Sequence, residues 1–214
     1  MMLRRSCFKY FIYPIVLTGF SSFAGSYDEF FKAIQLDDAR KVKQLLNRGF
    51  DVNTVGPKGV PGLLLAIREP SPKVLVELLN APGLQAEVRN NNDESALMLA
   101  ALAGMQEVCA RLIERDADVN KTGWTPLHYA AAGGHESVVR LLLDHYAYVD
   151  AESPNQTTPL MMAAMYGNAA SVALLLDAGA DVTLRNAVGL GALDFAERGQ
   201  RKESYELIAR RLKP

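Results

Sequence analysis

Three imidazoles and one thiol are the groups in this sequence best suited to chemistry. His128 and His135 lie seven residues apart, and His145 follows ten further on. Imidazole is the commonest metal ligand, so three in one stretch raise the question of a zinc or nickel site. Cys109 stands upstream as the candidate nucleophile. The sequence has no CxxC pair, no glycine-rich phosphate loop and no paired-carboxylate signature. Whether the histidines and Cys109 make a site depends on the elements that carry them.

Those elements repeat. Taking Leu127 of Thr125-Pro126-Leu127-His128 as an anchor, Leu160 and Leu193 follow at steps of 33 residues. Upstream, Leu97, Leu63 and Phe30 precede it at steps of 30, 34 and 33. The unit ends agree as well: "LLNRGFDVN", "LIERDADVN", "LLLDHYAYVD" and "LLLDAGADVT". Six units result, at about 26–53, 54–87, 88–120, 121–150, 151–183 and 184–214. Each reads as two helices. Thr125 and Thr158 can cap the first through the hydroxyl, with Pro126 and Pro159 in the first turn, where an N–H has no partner anyway. Ala130-Ala131 and Ala163-Ala164 permit close helix approach, and Leu141 to Leu143 and Leu174 to Leu176 supply the buried face of the second helix. Gly49 and Gly179 suit a left-handed residue at its end. A single pair cannot bury its apolar face alone, so stability comes from stacking, and the charged first and last units serve as caps.

These residues resemble the ankyrin repeat, with its TPLH-x-A helix, G-H turn, V-V-x-L-L-L helix and G-A-D-V-N ending. The fourth unit matches the pattern closely, while Pro61-Gly62 and Gly191-Ala192 depart from it in the second and sixth. The resemblance implies an all-α solenoid of six helix-turn-helix units with short β-hairpin fingers. It also places His128 and His135 at repeat positions and Cys109 on the buried stretch of a second helix, where a thiol is inert. The expectation is therefore no metal, no cofactor and no enzymatic activity.

What the resemblance implies instead is recognition of a protein on a concave face, built from the fingers and the exposed ends of the first helices. By register that face holds Arg68, Leu102, Thr122, Trp124, Asn155, Met165, Tyr166, Val188 and Leu190. Leu102, Trp124, Met165, Tyr166 and Leu190 would form an apolar stripe, and such patches mark partner sites. One connection is clipped. The step from Asn120 to Thr125 is five residues, where the other units take eight. The expectation is a notch in the row of fingers, floored by Trp124. Nearby, Tyr146 occupies the slot of Gly49 and Gly179, so either this helix ends differently or backbone strain is tolerated there.

The N-terminus differs from the repeats. Arg4, Arg5 and Lys9 precede an apolar run, "FIYPIVLTGF", and the small residues Ser22 and Ala24 follow it. That order describes a secretory signal peptide over residues 1–24, with an uncleaved membrane anchor as the alternative. The apolar run is short for a membrane span and contains Pro14. Removing its three positive charges takes the net charge from −1 to −4, which offers no attraction to nucleic acid. The composition, 49% hydrophobic and 22% charged, is that of an ordinary globular domain. Together these features predict a monomeric periplasmic adaptor or scaffold of a Gram-negative bacterium that binds a protein partner and inserts into no membrane once cleaved. An immunity protein blocking a toxin or enzyme and an effector acting on host proteins are the alternatives. The mature chain is expected to begin at Gly25. N-terminal sequencing of the envelope form checks this, and a full-length cytosolic chain contradicts it.

Overall fold

The computed structural model of the chain describes residues 20–69 and 71–212, with side chains from residue 25 onward. Most of the expected signal peptide thus lies outside the described residues. Among the described residues, twelve α-helices follow one another in six pairs. The first members are α1 (Phe20–Gln35), α3 (Gly62–Arg68), α5 (Ala96–Leu102), α7 (Pro126–Gly133), α9 (Pro159–Met165) and α11 (Ala192–Arg198). The second members are α2 (Ala39–Asn47), α4 (Pro72–Asn80), α6 (Gln106–Ile113), α8 (Glu136–Asp144), α10 (Ala169–Asp177) and α12 (Lys202–Arg211). Each first helix packs on the next first helix, and second helices stack likewise except α4 and α6, so the pairs form two rows.

The anchor register explains the stacking. Phe30, Leu97, Leu127 and Leu160 are fully buried, and Leu63 nearly so. Leu193 is half-buried, at the end of the stack. Fifteen residues after each anchor stands the buried residue of the second helix: Leu45, Leu78, Leu112, Leu142, Leu175 and Ile208. Between the first helices the contact is made by Ala100, Ala101, Ala130, Ala131, Ala163 and Ala164, all without exposed surface. Approach is so close that a Cβ on Gly167 would run into the Ala131 carbonyl oxygen. Reciprocal caps start these short helices. In α7 the Thr125 hydroxyl accepts from the His128 amide while the His128 ring accepts from the Thr125 amide. Met98, Met161 and Asp194 take the His128 position in α5, α9 and α11.

Two sets of side chains then bolt each unit to its neighbour. Eight residues after the anchor, a side chain caps the carbonyl end of the preceding first helix, satisfying acceptors that a helix cannot satisfy internally. Ser71 Oγ donates to the Ile34 carbonyl at 2.6 Å, His135 Nε2 to that of Leu102 at 2.9 Å and Asn168 Nδ2 to that of Gly134 at 2.8 Å. Arg201 reaches the carbonyls of both Met165 and Tyr166 at 3.3 Å. In the third unit this place falls to Met105, which has no donor. There α4 and α6 part around a cavity of about 230 Å³, lined by Leu75, Val76, Leu79, Met105 and Val108 among others. The second set closes the far edge. Asn53 bridges the Gly83 carbonyl and the Gln85 amide, and Asn120 bridges those of Tyr146 and Tyr148. Glu87 and Asp150 accept from the amides of Asp118 and Asp181.

The fingers are short hairpins, as the resemblance implies. Three of them close on a single antiparallel bridge each: Val55 with Pro61, Arg89 with Ser95, and Arg185 with Gly191. Five residues of turn separate the bridged positions in each, and no longer strands extend from the described helices. At Tyr146 strain is the outcome. Its φ is +62°, and the helix ends as it does at Gly179: Tyr146 N–H bonds the Leu143 carbonyl at 3.0 Å and Ala147 N–H that of Leu142 at 2.9 Å. Gly179 and Ala180 repeat this pattern on Leu176 and Leu175. The Asn120 clamp holds the tyrosine in a conformation that favours glycine. Because the Tyr146 side chain is 85% exposed, it returns no packing. Tyr146→Gly is expected to stabilise the fold by about 0.5–1 kcal/mol. Urea unfolding checks this, and a lower midpoint contradicts it.

Candidate protein-binding face

The fingers and the last turns of the first helices form one continuous face. Their tips are tied side by side. Asn91 Nδ2 donates to the Lys58 carbonyl at 3.2 Å, joining the second and third fingers. Ala187 N–H donates to the Asn155 carbonyl at 3.0 Å, joining the fifth and sixth. The clipped connection sits between these pairs, and it leaves no open notch. Lys121 turns inward until only 4% of its side chain is exposed. Its ammonium pairs with the Asp93 carboxylate of the third finger and donates to the Thr122 carbonyl at 3.1 Å. On the other side, a Cβ on Gly123 would lie 3.6 Å from Pro154 of the fifth finger. Three residues are missing, and a lysine stem spans the gap.

Trp124 is half-buried rather than laid open. Its ring meets that of His128 edge-on, with centroids 5.2 Å apart at 74°. His128 is fully buried and bonded on both sides. The Thr157 carbonyl, 2.8 Å from Nε2, can only accept, so Nε2 carries the proton. Nδ1 is then free to accept, 2.8 Å from the Thr125 hydroxyl and 3.1 Å from its amide. Burial drives the imidazole pKa down to about 4. His135 is spent on the Leu102 carbonyl, and His145 ends α8 at the surface. Burial pushes the Cys109 thiol up to about 12, which keeps it protonated. No group of three His, Cys, Asp or Glu side chains suited to a metal ion occurs among the described residues.

The other expected contact residues divide by exposure. Arg68, Leu102, Thr122, Asn155 and Tyr166 are exposed, the two apolar ones by 44% and 54%. Met165 is half-buried beside Tyr166. Leu190 is also partly turned in, because Asn186 ties its amide and carbonyl into the sixth turn. The apolar tip of that finger is Val188, 76% exposed, which the stripe drawn from sequence did not include. Lys121 was likewise missed. The deletion was legible, but nothing in the spacing says which side chain fills it. The acids of the third finger are already partnered: Lys121 from the next unit and Arg89 hold the Asp93 carboxyl below the usual range, and Tyr129 donates to Glu94 at 3.2 Å.

Comparison with known proteins follows the same boundaries. A family model described as ankyrin repeats in three copies matches residues 30–122 and 119–186. The B-cell lymphoma 3 protein homolog of Mus musculus is 32% identical over 152 residues, 68% of this chain and 34% of that protein. The tyrosine-protein kinase Shark of Drosophila melanogaster is 33% identical over 162 residues, 73% of this chain and 17% of its own length. This chain thus spans a third or less of these curated relatives. Among solved structures, a chain from the complex of a predatory endopeptidase of Bdellovibrio bacteriovorus with an immunity protein superposes with a TM-score of 0.72. It is 25% identical, and the match covers 85% of this chain and 97% of that one.

The His128 geometry has a consequence for stability. The unfolded imidazole takes up a proton near pH 6.5, whereas the folded one resists until about pH 4. Between those values the unfolded chain binds more protons, so stability falls as the pH falls through this window and is fully present above it. The contribution is at most about 3 kcal/mol. In His128→Gln the slope from this group is removed. Urea midpoints of both proteins at pH 7.5 and 4.5 measure it, with the natural protein expected to lose more. A parallel loss in both contradicts the assignment.

Proposed function

Because this chain belongs to the ankyrin repeat family, we propose that it seats a partner enzyme against its concave face and blocks it, as an immunity protein. Ankyrin repeats are protein–protein interaction modules, and the repeats here fill nearly all the described chain. One observation carries the finer reading. The match to the endopeptidase–immunity protein complex runs over 97% of that chain, whereas the curated relatives embed their repeats in much longer proteins. In a stack that such a neighbour matches over nearly its whole length, the activity lies in what the face covers. Its helix rows are locked across every interface but one by side-chain-to-carbonyl bonds, so the face is pre-organised and binding needs little ordering.

The compartment we propose is the periplasm, reached through the signal peptide at residues 1–24. Cleavage after Ala24 is compatible with the fold. It cuts within α1 but leaves Tyr27, Phe30, Phe31 and Ile34, the residues that pack on the second unit and on each other. Among the described residues no helix is long and apolar enough to cross a membrane. The adaptor reading uses the same face but leaves its partner active, so an activity measurement separates the two. The tagged mature chain, recovered from envelope extract, is expected to bring down a peptidase. Peptide-bond hydrolysis by that enzyme should fall in proportion to added chain and cease near equimolar ratio. A captured enzyme with unchanged activity supports the adaptor, and a chain found only in cytosol removes the periplasmic setting.

A further inference from the structure

The chemistry of the partner can be read from one row of side chains, on the reading that this face binds protein. Five residues after each of the last five anchors, at the last turn of successive first helices, stand Arg68, Leu102, Ala132, Met165 and Arg198, while Gln35 takes this place in the first unit. Two exposed arginines thus bracket three apolar residues. With neighbouring helices about 9 Å apart, the arginines are roughly 35 Å from each other. Neither makes a hydrogen bond or ion pair among the described residues. The carboxylates next to them in sequence are directed elsewhere. Glu69 lines the cavity between α4 and α6, and Glu197 lines a recess with Arg201 and Tyr205 at the end of the stack.

Other charges reinforce the pattern. Exposed Lys58 stands on the same unit as Arg68, and Arg201, on the same unit as Arg198, lies over the carbonyls of Met165 and Tyr166. Between these ends the acids of the third finger are already answered by Lys121, Arg89 and Tyr129. The centre of the face therefore offers apolar contact with its acids already partnered, while the Arg68 and Arg198 side chains on either side of it are cations without a partner. We propose that the occupant is a segment of a partner protein with an apolar middle and carboxylates on both flanks. Arginine favours such pairing because its planar fork matches a carboxylate. Leu102, Met165 and Tyr166 offer the middle its contact area, with Tyr the type of residue enriched at binding hot spots.

The test uses the purified full chain and a phage-displayed library of random 16-residue peptides, long enough to span about 50 Å when extended. Panning against the natural chain is expected to enrich peptides with Asp or Glu near both ends of an apolar core. These should bind Arg68→Glu/Arg198→Glu at least tenfold more weakly, and binding to the natural chain should weaken with added salt. The reversed variant should instead enrich peptides flanked by Lys or Arg. Circular dichroism verifies its fold, and Arg68→Gln/Arg198→Gln replaces it if the helical signal is lost. Enriched peptides without acids, equal binding to both proteins, or no enrichment overturns the proposal. Such a failure, with enzyme inhibition intact, leaves the immunity reading standing on different contacts. Success here without inhibition leaves the acid-flanked partner and removes the immunity reading.

Discussion

Every feature of this molecule depends on the close approach of consecutive first helices. Alanine at the contact, and glycine where a Cβ would strike a carbonyl, bring α7 onto α5 and α9 onto α7 with small residues where the backbones approach. At that distance the carbonyl ends of one helix come within reach of the next unit's turn. Ser71, His135, Asn168 and Arg201 are four chemically different answers to the same geometric demand. An apolar contact is non-directional, but a hydrogen bond fixes register. The alanines thus supply the approach, and the turn residues lock it. Met105 shows what happens without the lock: the apolar stacking of α3 on α5 persists, while the outer helices α4 and α6 separate.

A stack held so uniformly leaves little freedom for specificity except at its edges. Residues at the finger tips and in the last turn of the first helices can change without touching the core, and there this chain departs from its own repeat. The third and fourth units show how a change is absorbed. Deleting three residues would open the finger row, yet Lys121 crosses to Asp93 and Gly123 closes on Pro154. The face remains continuous, with a step in it. Burying a lysine stem costs little because its methylenes are apolar and its ammonium is paired.

Much of this was legible in the sequence, because the burial pattern is set by a period and a period needs no third dimension to be seen. The anchors Leu127, Leu160 and Leu97 emerged from spacing, and the leucine runs that hold Leu142 and Leu175 were read as the buried face of the second helix. The Thr and Pro that open α7 and α9 were legible for the same reason, since a cap is a local event. Contacts between units were harder. That His128 and His135 are structural followed from their repeat positions, but their carbonyl partners at Thr157 and Leu102 lie about one unit away. The open notch and the outward Leu190 were expectations the structure corrects. Each depends on where a short turn finds room, and turn residues have no period. Tyr146 fell between the two cases. The slot was recognisable, and the resolution of its strain was decided by Asn120, from the unit before.

The central claim is that the partner meets the edge formed by fingers and first-helix ends, and not the apolar gap between α4 and α6. Two photo-crosslinking residues placed separately in the exported chain decide this. One replaces Tyr166 on the finger face, and the other replaces Val76, half-exposed at the gap. Irradiation of living cells followed by immunoblotting is predicted to give a discrete higher-mass adduct from position 166 and none from position 76. An adduct from position 76 alone would place the partner on the opposite side of the stack and contradict the account.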